Sequence, residues 1–143
     1  MEGGFEAHAG PLYFRRLGGA MRLAFRVAEK HLNPRQTLHG GMMMTLIDDA
    51  MGLAVGMETG SGSMATVSLN GDFLAAAKLA EWVEAEGEVV RRTRALVFAR
   101  GTIFCGERTL LTASGVWRIF ESPRESNAAP ARESGGAPPG PRR

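Results

Sequence analysis

The sequence predicts an α+β domain in which one antiparallel sheet wraps around a single long helix. Three observations carry this. Residues 41–57, GMMMTLIDDAMGLAVGM, are long enough for about four helical turns, and their apolar side chains lie nearly all round the cylinder, which marks a buried helix rather than a surface one. From Ala65 onward the apolar residues recur at a period of two and keep it through four runs. Each run carries a glycine on its apolar face, at Gly71, Gly87, Gly101 and Gly115, and a common reason for glycine inside a strand is a bend or the close approach of another backbone.

Taken in order, residues 1–10 are expected to be a flexible N-terminus. PLYFRR and MRLAFRVA flank LGGA, whose paired glycines suggest a hairpin. The loop EKHLNPRQTLHGG follows, and Pro34 disfavours helix at Asn33. TGSGSM ends the long helix. In the first strand Val67, Leu69 and Phe73 alternate with Thr66, Ser68, Asn70 and Asp72. In the second, Val83, Ala85 and Val89 alternate with glutamates. Val97, Ala99 and Ile103 share a face in the third, as do Leu111, Ala113, Trp117 and Ile119 in the fourth. Short links at 75–80, 92–95 and 106–107 give a hairpin, one helix and a four-stranded meander, forming one domain over residues 11–121. Residues 122–143 hold five of the seven prolines and no aliphatic larger than Ala, so a disordered tail is expected.

The formal net charge of +2 invites a nucleic-acid reading, but the tail alone carries it: Arg124, Arg132, Arg142 and Arg143 against Glu125 and Glu133. The remainder is formally neutral, and no nucleic-acid partner is expected. The acidic start, MEGGFEAHAG, is unlike a signal peptide, and the longest uncharged run, 59–71, is shorter than the ~18 residues of a spanning helix. A soluble cytoplasmic protein with no membrane association is expected. The single Cys105 excludes an intrachain disulfide and a multi-cysteine zinc cluster, and reads as a small core residue. His8, His31 and His39 are too far apart for a paired helical metal motif. His8 and His31 read as surface or loop residues. No metal and no cofactor is expected.

The series Asn33-Pro34-x4-His39-Gly40-Gly41-x4-Leu46-x-Asp48, followed by Thr66-Val67-Ser68-Leu69-Asn70, resembles the PaaI-like acyl-CoA thioesterases of the hot-dog fold. The resemblance spans about residues 11–120, and its most specific part is 33–48. It implies an acyl-CoA substrate and a homodimer that assembles to a homotetramer, with two equivalent sites at each dimer interface.

Thioester hydrolysis needs a base or nucleophile near the carbonyl carbon and donors for the oxyanion. The first N–H groups of a helix lack internal partners, and glycine leaves room for a carbonyl to approach, so Gly40 and Gly41 suit the second task. By resemblance, the Gly40 N–H and the Asn33 amide polarise the carbonyl. Asp48 sits about two turns further along an otherwise apolar helix, where a carboxylate is costly unless hydrogen-bonded or used for chemistry. The resemblance selects it as general base or nucleophile over Asp49, which lies 100° round the helix and reads as a solvated or interface residue. Thr66 matches a family position that helps orient water from the other subunit, and Asn70 is a polar neighbour. His39 either hydrogen-bonds the loop, holding Asn33, or assists the leaving thiolate. Met44, among Met42, Met43, Met51 and Met57, is a candidate for lining an acyl tunnel. Arg91 and Arg92, with Arg94 and Lys78, are candidates for the phosphates of CoA. Two rival functions remain: a hot-dog hydratase or dehydratase, whose Asp-x-Asn-Pro-x-His arrangement is missing here, and a non-catalytic acyl-CoA-binding protein.

Overall fold

The computed structural model describes residues 4–120. A six-stranded antiparallel sheet curls around one 20-residue helix. The elements in chain order are α1 (Phe5–Ala9), β1 (Tyr13–Leu17), β2 (Ala20–Arg26), a 3-10 turn (Glu29–His31), α2 (Gly40–Thr59), β3 (Met64–Phe73), β4 (Trp82–Arg92), β5 (Leu96–Cys105) and β6 (Arg108–Ile119). β1 and β2 form the expected hairpin, turning at Gly18-Gly19, where Gly18 takes a left-handed φ of 59°. Gly60, at φ 65°, ends α2 and returns its N–H to Gly56 O.

The strand order is β1-β2-β4-β5-β6-β3. The four-stranded meander therefore does not form: β4, β5 and β6 are consecutive neighbours, but β3 pairs with β6 at the far edge and β2 with β4. Alternation fixes which face of a strand is buried, not which strand lies beside it, so the sequence pattern is the same for either order. Part of the stretch expected to be a flexible N-terminus lies within the described residues. Residues 5–9 form a short helix whose Ala9 is buried, and Ala9 O accepts a hydrogen bond from the His31 ring at 2.7 Å. His31 is a buried residue rather than a surface one. Its Nδ1 accepts from the Ala28 N–H, so Nε2 carries the proton donated to Ala9, and burial lowers its pKa. The disordered tail expected at 122–143 lies outside the described residues.

The core is the interior of the curl. Leu46, Ile47, Met51 and Val55 of α2 pack against Val83, Ala85, Val97, Ile103, Leu111 and Trp117. Its closeness depends on the mid-strand glycines. Gly87, Gly101, Ala113 and Gly71 are register partners and form one row of small residues across four strands, while Gly115 falls in the adjacent row. A Cβ on Gly87 would lie 2.7 Å from Met51 Cα and 2.9 Å from Ala50 O, which are backbone atoms that cannot swing aside. Gly87→Ala is therefore expected to push α2 off the sheet and to cost about 1–3 kcal/mol or more, read as a drop in Tm. An unchanged Tm would mean that the helix does not need this approach.

Among the described residues, no helix is long and apolar enough to cross a membrane.

Candidate active site

Position 48 faces the β3 edge of the sheet. There Asp48 Oδ1 accepts a hydrogen bond from Thr66 Oγ1 at 2.9 Å. A β-bulge sets this contact. The register jumps between Thr66, opposite buried Trp117, and Ser68, opposite Val116, and leaves Val67 unpaired. Thr66 and Leu69 consequently share the helix-facing side while Val67 is 61% exposed, reversing the alternation expected for the start of this strand. The resemblance implied a Thr66 reaching from another subunit. Within one chain, its hydroxyl meets Asp48 of the same chain. Met44, one turn before Asp48, lies beneath Gly71 of the same strand, its sulfur 2.9 Å from where a Cβ would be.

At the start of α2, His39 is the N-cap, and its Nδ1 accepts the Gly41 N–H at 2.8 Å. That N–H is spent. The Gly40 N–H, at the first helical position, has no acceptor among the described residues and points outward at the positive end of the helix. His39 thus does not hold Asn33. It fixes the helix start and keeps Nε2 free to donate. Asn33 is folded into its own loop: Nδ2 donates to Thr37 Oγ1 at 2.9 Å, and Oδ1 accepts from the Arg35 N–H at 2.9 Å. One amide hydrogen remains. The loop is tied to the β3–β4 link through Leu38 N–H to Ala77 O and through the bridge of Thr37 to Lys78, which brings Lys78 to this end of the helix.

Other expected site residues lie elsewhere. Asn70 alternates with Leu69 and Gly71 and faces the outer surface of the sheet, opposite Ser114 and away from α2. Arg92 donates to Glu58 O at 3.1 Å, near the C-terminal end of α2, and Arg91 is its exposed neighbour. Both are at the end of α2 away from Gly40, and the helix is about 30 Å long. A charge count in sequence cannot reveal which end of an antiparallel strand meets which end of a helix. Cys105 is half-buried against the core, and burial raises its thiol pKa, so it is no ready nucleophile.

Two further groups flank the site: Phe73, which the sequence did not single out, and Asp49, which it set aside as a solvated or interface residue. The Phe73 ring lies against Gly40, with Cε1 3.1 Å from where a Cβ would stand, and it is 55% exposed, so an aromatic surface flanks the free N–H. Asp49 is half-buried with Oδ2 lacking a hydrogen-bond partner. Its pKa is pushed up to about 6, first by burial and then by the charges of Glu6 and Asp48. The signal for Asp49 was present in its place on an apolar helix. For Phe73 the signal was absent, because only the fold brings residues 40 and 73 together.

Residues 35–112 match the model of the thioesterase superfamily. The Pseudomonas aeruginosa protein PA0474, whose name marks it as a candidate esterase, is 35% identical over 98 residues, which are 68% of this chain and 73% of that protein. A mutant of the phenylacetic acid degradation protein PaaI from Thermus thermophilus superposes with a TM-score of 0.73 at 24% identity, covering 81% of this chain and 98% of its own. BH2602 from Bacillus halodurans, solved with CoA, superposes with a TM-score of 0.71 at 22% identity, covering 77% of this chain and 74% of its own. With one antiparallel sheet curled around one helix and a family match over more than half its length, this chain belongs to the thioesterase superfamily and has the PaaI-like hot-dog fold.

Proposed function

We propose that the protein hydrolyses acyl-CoA thioesters to the free acid and CoA, with Asp48 as general base or nucleophile and the Gly40 N–H as oxyanion donor. The observation that carries this reading is the Asp48–Thr66 pair on the open edge of α2, combined with an N–H at the helix start that nothing else uses. Thr66 anchors one carboxylate oxygen, which leaves the other to deprotonate or attack. Asn33 contributes its remaining amide hydrogen to the carbonyl, and His39 Nε2 faces the leaving sulfur. CoA in BH2602 supports the thiol half of the substrate.

The two halves of this machinery cannot serve one carbonyl within a single chain. Gly40 and Asp48 are eight residues apart on one helix, a rise of about 12 Å, whereas reacting groups must approach to about 3 Å. Two antiparallel copies of α2 crossing at Met44, midway between the two positions, set each Gly40 beside the partner's Asp48. We therefore assign two equivalent sites to a homodimer joined along β3. Val90 and Phe98, exposed on the outer sheet face, are the surface through which two such dimers form a tetramer.

Mixing chains tests both claims. Asp48→Asn and Gly40→Pro are each expected to be inactive alone. Refolded together in equal amounts, they form mixed dimers in half of the population, each with one intact site, and recover about a quarter of the wild-type rate of thiol release. No recovery would show that the site lies within one chain.

A further inference from the structure

A cavity of about 400 Å³ lies between α1, the β1–β2 hairpin and α2. Leu12, Phe14, Leu23 and Leu53 give it apolar walls, while Asp49 and Glu6 supply its acidic groups. The volume suits a small organic group. Asp49 Oδ2 is buried there with no hydrogen-bond partner, an arrangement that costs free energy until something donates to it.

Resting on the thioesterase reading above, we propose that this cavity is the acyl subsite and that it selects a medium-length acyl chain ending in a protonated amine. The methylene stem lies against the leucines and Phe14, and the terminal ammonium donates to Asp49 Oδ2 with Glu6 beside it. A cation is favoured over an apolar terminus for an electrostatic reason. Burial, Glu6 and Asp48 all oppose charge on Asp49 and hold its pKa near 6, and none of these influences is a cation's. An ammonium in the cavity offsets all three at once, and its three donors fill the open valence of Oδ2. The connection to the chemistry is short. Asp48 and Asp49 are consecutive on α2, with Cα atoms about 3.8 Å apart and side chains about 100° apart round the helix. In this proposal a chain of about six carbons lies along that arc, from a carbonyl at Asp48 to the cavity at Asp49.

The experiment compares 6-aminohexanoyl-CoA with heptanoyl-CoA, which match in length and differ in the terminal charge. Kd is measured by calorimetry with the non-hydrolysable thioether analogues on the assembled protein, and kcat/KM by thiol release with the esters. We expect about tenfold tighter binding and a similar gain in kcat/KM for the amino compound. Asp49→Asn should bring the two Kd values to within about twofold, and Glu6→Gln, on an exposed helix position, should lower the preference without a folding risk. Equal Kd values in the wild-type protein would overturn the proposal. So would a preference that survives Asp49→Asn, or an Asp49→Asn protein that loses its dimer while keeping the preference, since Asp49 would then serve the subunit contact. An Asp49-dependent preference in the analogues without release of any thiol would refute hydrolysis while leaving the subsite standing.

Discussion

Asp48→Asn is expected to lower kcat for acyl-CoA hydrolysis about 10²–10⁴-fold with little change in Tm, the range that loss of a positioned base produces. The substitution is isosteric. An asparagine Oδ1 still accepts the Thr66 hydroxyl, so the contact that orders the side chain survives and only the basic and nucleophilic oxygen is lost. No other carboxyl on α2 replaces it from the same face, because Asp49 is turned 100° away toward the cavity under α1. Thiol release from a panel of acyl-CoA esters, with thermal unfolding as the control, checks the claim. Equal rates in the two proteins would remove Asp48 from the mechanism.

Gly40→Pro is expected to reduce kcat about 10²–10³-fold, the cost of removing one oxyanion donor. Proline is an unusually clean probe at this position. It is favoured at the first residue of a helix because the N–H it lacks has no intrahelical acceptor there. The preceding residue must be extended, and His39 already has φ −66° and ψ 134°. Gly40→Ala is the control for bulk. Its Cβ would meet only the outer edge of the exposed Phe73 ring, and it keeps the N–H, so a loss of less than about tenfold is expected. If alanine and proline are equally damaging, space rather than the donor is what the reaction needs.

Much of this molecule is legible along the chain. The apolar run around Leu46 and Ile47 could only be a buried helix, and the period of two in β4, β5 and β6 assigned their inner faces correctly. Gly87 announced the closeness of sheet and helix that the Met51 and Ala50 backbone imposes, and Gly101 the close packing of the Ile47 and Met51 side chains on the sheet. Asn33, His39, Gly40 and Asp48 stand out as a set through the resemblance of their spacing to that of the PaaI-like thioesterases, a pattern legible in the chain because it is local, within one loop and two turns of one helix.

What the sequence determined by itself is therefore whatever depends on neighbours a few residues away: element type, buried face and helix start. Only the tertiary structure decided the rest. A bulge at Val67 turns Thr66 onto Asp48, and strand pairing sends β3 to β6 instead of β4. Folding α1 back against His31 makes a cavity beside Asp49. Asn70 goes to the outer face, and Arg91 and Arg92 go to the distal end of α2. The physical reason is the same in each case. A side chain's periodicity states how it alternates along its own element, while the identity of its partner depends on contacts between residues that are distant in sequence, and on the register in which they meet.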